Sequence, residues 1–170
     1  MFMDPSAFTF THALERNWRM VRDEFLGVAH YARAWHETSI YSGTWRVCGL
    51  FDVHEGTRIE PAATLCARTV ALLESCVPAR LGAGFSALGP HSHIAAHSGY
   101  EGLMLRCHLG LSIPVGNCRL RVGDQEQGWE EGRCLVFDDH CVHEAWNETD
   151  EMRVVLIVDF ARDSHDRAAR

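Results

Sequence analysis

Lysine is absent from the 170-residue chain, so all sixteen basic residues are arginine and every strong cationic contact falls to a guanidinium. The trait belongs to the composition as a whole, so an individual arginine gains meaning only from its position. Seven cysteines are scattered without a Cys-x-x-Cys pair. An odd, unpaired set reads as small buried hydrophobes in a reducing compartment, with a Cys66–Cys76 bridge left open. There is no apolar run of roughly 18 residues or more that could span a bilayer. The N-terminus lacks the basic start, apolar centre and small-residue cleavage site of a secretory signal, so a cytoplasmic location without stable membrane association is expected. A net charge of −7 argues against nucleic acid as a partner. No repeat, low-complexity segment or linker divides the chain, and no accessory domain is visible. Residues 1–170 are expected to form a single domain with a substantial core.

The segments that are present fall into two textures. From Leu14, apolar residues recur as Val21, Phe25, Val28 and Ala32, which predicts a helix reaching about Trp35 within an N-terminal helical part over 1–40. Its other face, with Arg16, Arg19, Arg22, Asp23 and Glu24, reads as solvated surface. Gly43 to Phe51 reads as a strand, and Pro61 to Val77 as a second helix stopped by Pro78. After Gly82 short apolar segments alternate with turn signals: Gly84–Leu88, His93–Ala96, Leu103–Ile113, Cys118–Val122, Arg133–Phe137 and Met152–Phe160. This pattern predicts a mainly β, jelly-roll-like core with two helices on one side, and a fraying tail over Arg162–Arg170.

Eleven histidines are many for this length, and His91, His93, His97, His108, His140 and His143 crowd the second half. Neutral imidazoles suit iron, zinc, copper and nickel alike. A cupin-type pattern is met in part, by His91, His93 and His97 and by Gly132, His143 and Asn147. It leaves open a cupin-type metal enzyme using His91, His93, His97 and His143, and also a non-catalytic barrel that binds a small carboxylate.

A longer block matches more closely. His97-Ser98-Gly99, Leu105-Arg106-Cys107-His108-Leu109-Gly110-Leu111, Trp129-Glu130-Glu131-Gly132, Phe137-Asp138-Asp139, His143-Glu144-Ala145-Trp146 and Arg153 occur in order. This block, within 84–160, resembles the aspartyl/asparaginyl β-hydroxylase family of Fe(II)- and 2-oxoglutarate-dependent oxygenases. The resemblance implies a double-stranded β-helix core over 84–160 that binds metal and 2-oxoglutarate, with O2 as co-reactant. It implies His97 and His143 as the iron ligands and Asp139 as a nearby carboxylate orienting an iron-bound water. Arg153 with Ser86 would grip the distal carboxylate of 2-oxoglutarate. Arg106 and His108 share one strand face, and their counterparts contact the cosubstrate or an acidic substrate group; both roles stay open. Gly99 stands where the usual facial triad has a carboxylate, a gap the family shares. Trp129, Gly132, Trp146 and Asn147 are expected in turn and packing roles, and His91 and His93 are expected to be exposed. The implied substrate is an aspartyl, asparaginyl or related amino-acid group, free, peptidic or carrier-tethered, with lipid acyl chains also known among relatives.

Overall fold

The computed structural model describes residues 1–99 and 104–162, and alternation of side chains along its strands organises it. Twelve strands are present among the described residues: β1 (Phe2–Met3), β2 (Arg33–Ala34), β3 (Tyr41–Ser42), β4 (Trp45–Phe51), β5 (Arg80–Leu88), β6 (Ser92–His97), β7 (Met104–Ser112), β8 (Cys118–Val122), β9 (Gln125–Gly128), β10 (Cys134–Asp138), β11 (His143–Asn147) and β12 (Arg153–Ala161). They form a seven-stranded sheet in the order β1-β10-β7-β12-β5-β4-β2 and a five-stranded sheet in the order β3-β6-β11-β8-β9. Each pairing is antiparallel, as the jelly-roll expectation requires.

Helices α1 (Thr9–Val28), α2 (Ala62–Leu65) and α3 (Ala67–Cys76) accompany the larger sheet. Along β12, Val154, Leu156, Val158 and Phe160 join Leu105, Cys107, Leu109 and Leu111 of β7 in the core shared with the helices. The alternate residues of the same strands, Arg153, Val155 and Asp159 on β12 and Arg106 and His108 on β7, take the opposite face by the two-residue period of a strand. There Val155 packs with Leu88, Leu120, Val122, Trp129 and Phe137. The helices thus fill one face of the large sheet, and the chemistry-bearing residues are left to the face toward the small sheet.

Two helical expectations change. The first helix stops at Val28 rather than near Trp35. Beyond it, Arg33 and Ala34 pair with Val47 and Arg46 of β4, and the Trp35 ring lies 5.0 Å from that of Trp45. Strand pairing and ring packing override the continuing apolar period. The second helix is broken at Cys66. Glu24 explains the restart: its carboxylate accepts from the Thr69 N–H at 2.8 Å and the Arg68 N–H at 3.1 Å. Those are first-turn donors that would otherwise be unsatisfied. Glu24 is therefore not simply solvated surface. All seven cysteines are free, so the Cys66–Cys76 bridge is absent. Arg162 contacts Asp138, while the rest of the expected fraying tail, like Tyr100 and Leu103, lies outside the described residues. No helix among the described residues is long and apolar enough to cross a membrane.

Candidate active site

Strands β6 and β11 bring His97 and His143 together as direct register partners, with ring centroids 4.3 Å apart. A β-bulge makes this possible. The pairing runs Ala145 with Ile94 and then His143 with His97, so β6 carries one extra residue. That residue reverses the alternation and puts His97 on the face opposite to His93. His93 meets Glu144 at 2.6 Å and His91 meets Asp150 at 2.9 Å, both away from His97 and His143. The four-histidine arrangement of a cupin-type site is thus not brought together.

Each central histidine is fixed by its own backbone. The Nδ1 of His97 lies 2.8 Å from the Ala95 carbonyl, and that of His143 lies 2.9 Å from the Cys141 carbonyl. Since a carbonyl only accepts, both rings carry the proton on Nδ1 and keep the Nε2 lone pair for another partner, the arrangement a metal needs. Burial, with smaller contributions from His97 and Arg106, takes His143 from 6.5 to about 3 and holds it neutral.

Asp139, fully buried, comes next. Its Oδ1 is 3.6 Å from His143 Nε2 and 2.6 Å from Arg106 Nη1, and its carbonyl accepts from the Gly99 N–H at 2.9 Å. Burial pushes its carboxyl upward against the pull of Arg106. A Cβ on Gly99 would fall 1.6 Å from Asp139 Oδ2. The missing side chain two residues after His97 is therefore the space that the Asp139 carboxylate fills. Among the described residues no group of three or more His, Cys, Asp or Glu forms a metal cage. A two-histidine centre with a carboxylate beside it remains.

Arg106 is held by Asp159 in a fork-to-fork pair, Nε to Oδ1 at 2.7 Å and Nη2 to Oδ2 at 3.0 Å. Asp159 was not singled out from the sequence, although it lies six residues after Arg153 on one strand face. Arg153 is 1% exposed. Its guanidinium sits 4.5 Å over the Trp129 ring and reaches the Ser86 carbonyl and hydroxyl only at 3.5 Å. Its Nε has no partner, and no carboxylate among the described residues is paired with it. Burial pushes it down to about 10. Ser86 Oγ itself accepts from the Trp45 indole at 3.0 Å.

Trp129 also donates its indole N–H to His108 Nδ1 at 3.2 Å. The neutral tautomer of His108 then carries its proton on Nε2, a buried donor with no partner. Burial, then the positive charges of Arg153 and Arg106, keeps it well below the ordinary histidine range. Trp129 thus does more than pack a turn, whereas Asn147 and Gly132 keep the expected roles. The Asn147 amide joins the Leu88, Gly89 and Glu151 carbonyls, and Gly132 abuts Trp18 at a positive φ of 73°.

These parts form a pair of backbone-oriented imidazoles, a buried carboxylate beside it, and a buried group of Arg153 and His108 whose Nε and Nε2 atoms have no partner among the described residues. The aspartyl/asparaginyl beta-hydroxylase profile matches residues 15–163. The chain belongs to that family. It is 35% identical to the aspartyl/asparaginyl beta-hydroxylase of Homo sapiens over 86% of this chain and 20% of that protein. It is 43% identical to an ornithine lipid ester-linked acyl 2-hydroxylase of Rhizobium tropici over 63% of this chain and 38% of that one. The chain thus spans about a fifth of the length of the human beta-hydroxylase it matches. In fold it is similar to a Pseudomonas putida prolyl-4-hydroxylase, with a TM-score of 0.58 at 15% identity, over 86% of this chain and 87% of the other. That likeness supports the jelly-roll assignment of this beta-hydroxylase family member.

Proposed function

We propose that this chain is an Fe(II)- and 2-oxoglutarate-dependent hydroxylase acting on an amino-acid-derived group or an acyl chain. The observation that carries the reading is Arg153, a buried guanidinium with no facing carboxylate among the described residues. Taking such a charge out of water is costly unless an anion answers it. A dicarboxylate does so bidentately, with the Ser86 hydroxyl beside it and His108 Nε2–H as a second unused donor.

His97 and His143 would hold the metal through Nε2, their Nδ1 protons committed to the backbone. Asp139, kept in place by Arg106, stands ready to accept a hydrogen bond from a water near the histidines. Bound Fe(II), with 2-oxoglutarate and O2, supplies an oxidant for an unactivated C–H bond while the cosubstrate becomes succinate and CO2. The protein contributes orientation and exclusion of water, through the Trp129 and Phe137 walls and the fixed imidazoles.

Substrate class follows relatives only loosely. The human relative is a beta-hydroxylase of aspartyl and asparaginyl groups, and the Rhizobium relative acts on an acyl chain. Anaerobic addition of Fe(II) and 2-oxoglutarate should give a weak visible absorption band, and admission of air should release succinate. Metal binding without any response to 2-oxoglutarate would overturn the reading, and a 2-oxoglutarate response without succinate would favour a carboxylate-binding barrel.

A further inference from the structure

Arg106 stands between two buried carboxylates. On β7 it is the direct register partner of Asp159 on β12, so the two side chains rise from neighbouring strands on one face. Its Nε and Nη2 bind Asp159 at 2.7 and 3.0 Å, and its Nη1 reaches Asp139 Oδ1 at 2.6 Å. That same oxygen lies 3.6 Å from His143 Nε2. Asp159, Arg106 and Asp139 also line one cavity together with His97. The line of charge thus runs from the interior of the large sheet to the imidazole pair.

One guanidinium cannot neutralise two carboxylates. Asp139 is fully buried and Asp159 is 5% exposed, so the negative charge in excess is held out of water, where it is costly unless a cation answers it. The geometry divides Arg106 unequally. Asp159 takes its two-pronged edge, Asp139 meets only the remaining Nη1, and Asp139 Oδ2 makes no hydrogen bond among the described residues. Without Asp159 the same guanidinium would lie against Asp139 alone and cancel its charge. An ion pair serving only to join β7 to β12 would need no third member.

We infer that Asp159 is a positioning residue for the metal: by holding the fork of Arg106 it offsets that cation and leaves the charge of Asp139 to a dication at His97 and His143. This rests on the metal-binding part of the hydroxylase reading. Two imidazoles bring no charge of their own to a divalent ion. The excess carboxylate beside them supplies it, and Asp159 preserves that excess.

Metal-free protein can be titrated with Co(II) in the absence of 2-oxoglutarate, following the visible absorption of the bound ion and counting only the uptake that His97→Ala abolishes. Asp159→Asn keeps the shape and removes the charge. It should weaken Co(II) binding roughly ten- to hundredfold, the usual effect of losing an outer partner of a metal site. Adding Arg106→Met removes the cation as well and leaves Asp139 as the excess carboxylate. Affinity should then return to within about threefold of the parent. Arg106→Met alone leaves both carboxylates and should bind Co(II) at least as tightly as the parent, which tests the inference even where Asp159→Asn folds poorly. Glu24→Ala, which weakens the start of α3, should leave Co(II) affinity unchanged, so that lost stability alone does not imitate the effect. Parental affinity in Asp159→Asn, no recovery in the double variant, or weakened binding in Arg106→Met overturns the inference alone. A parent with no Co(II) uptake that depends on His97 overturns the hydroxylase reading and the inference together.

Discussion

Replacing Arg153 by methionine separates the cost of this arginine from its use. The side chain is 1% exposed, and burial takes it from 12.5 down to about 10. At about 1.4 kcal/mol per unit, that is roughly 3 kcal/mol set against the charged form. The Trp129 face returns about 1–2 kcal/mol, and the two 3.5 Å contacts to Ser86 add little. Methionine fills similar length without charge, so the ligand-free Arg153→Met protein should match the parent or exceed it by about 1–2 kcal/mol in urea unfolding. Addition of 2-oxoglutarate with a redox-inert divalent metal reverses the ranking. At about one hundred times its dissociation constant, the cosubstrate should stabilise the parent by about 2.7 kcal/mol. For a domain of this size that is about 5–10 °C in melting temperature. Arg153→Met should show the small gain due to metal alone. The reasoning is refuted by a variant several kcal/mol less stable without ligand that keeps the parental gain with it, because Arg153 would then be a structural residue.

Gly99→Ala drives a methyl group into the Asp139 carboxylate and should cost about 1–3 kcal/mol in thermal or urea unfolding; combining it with Asp139→Ala should recover most of that loss, and strict additivity of the two changes would disprove the clash. Acid should destabilise the metal-free protein early. His143 and His108 are held neutral in the fold, so their contribution is complete above about pH 6.5 and is lost as pH falls toward their lowered folded values. Urea titrations at pH 7.5 and 5.5 should differ by about 1 kcal/mol for each histidine, and His143→Asn should flatten the dependence. Glu24→Ala removes the carboxylate that accepts from the Arg68 and Thr69 N–H groups at the start of α3. It should lower stability by about 1–2 kcal/mol, with Glu24→Gln in between.

The strands that sequence patterning placed best are those whose side chains obey it without interruption. Cys118–Val122 alternates buried and exposed residues, and Arg153–Ala161 is apolar on the helix-facing side. His143–Asn147 alternates as regularly, but its inner positions hold His143 and Asn147, so no apolar signal marked it as a strand. Gln125–Gly128 is an exposed edge strand without an apolar residue, paired to β8. The meeting of His97 and His143 was legible only through family resemblance. Simple alternation sets His93 and His97 on one face, and the bulge that parts them leaves no mark in Ala95 and Ala96. Asp159 was readable in principle, sharing the parity of Arg153, yet nothing in the chain announced that Arg106 would be bound from within. The early end of α1 depended on a tertiary contact between Trp35 and Trp45 that no local propensity encodes.

The facing of His97 and His143 also bears on when the site comes into being. Neither strand can present its imidazole to the other until β6 and β11 have zipped, and they are separated in the chain by β7 through β10. Contacts of such sequence separation form only after the loop-closure entropy has been met. A fragment that stops short of His143 lacks one of the two imidazoles. On the proposed metal-binding reading, metal capture by the imidazole pair would therefore report when β6 and β11 have paired within the small sheet.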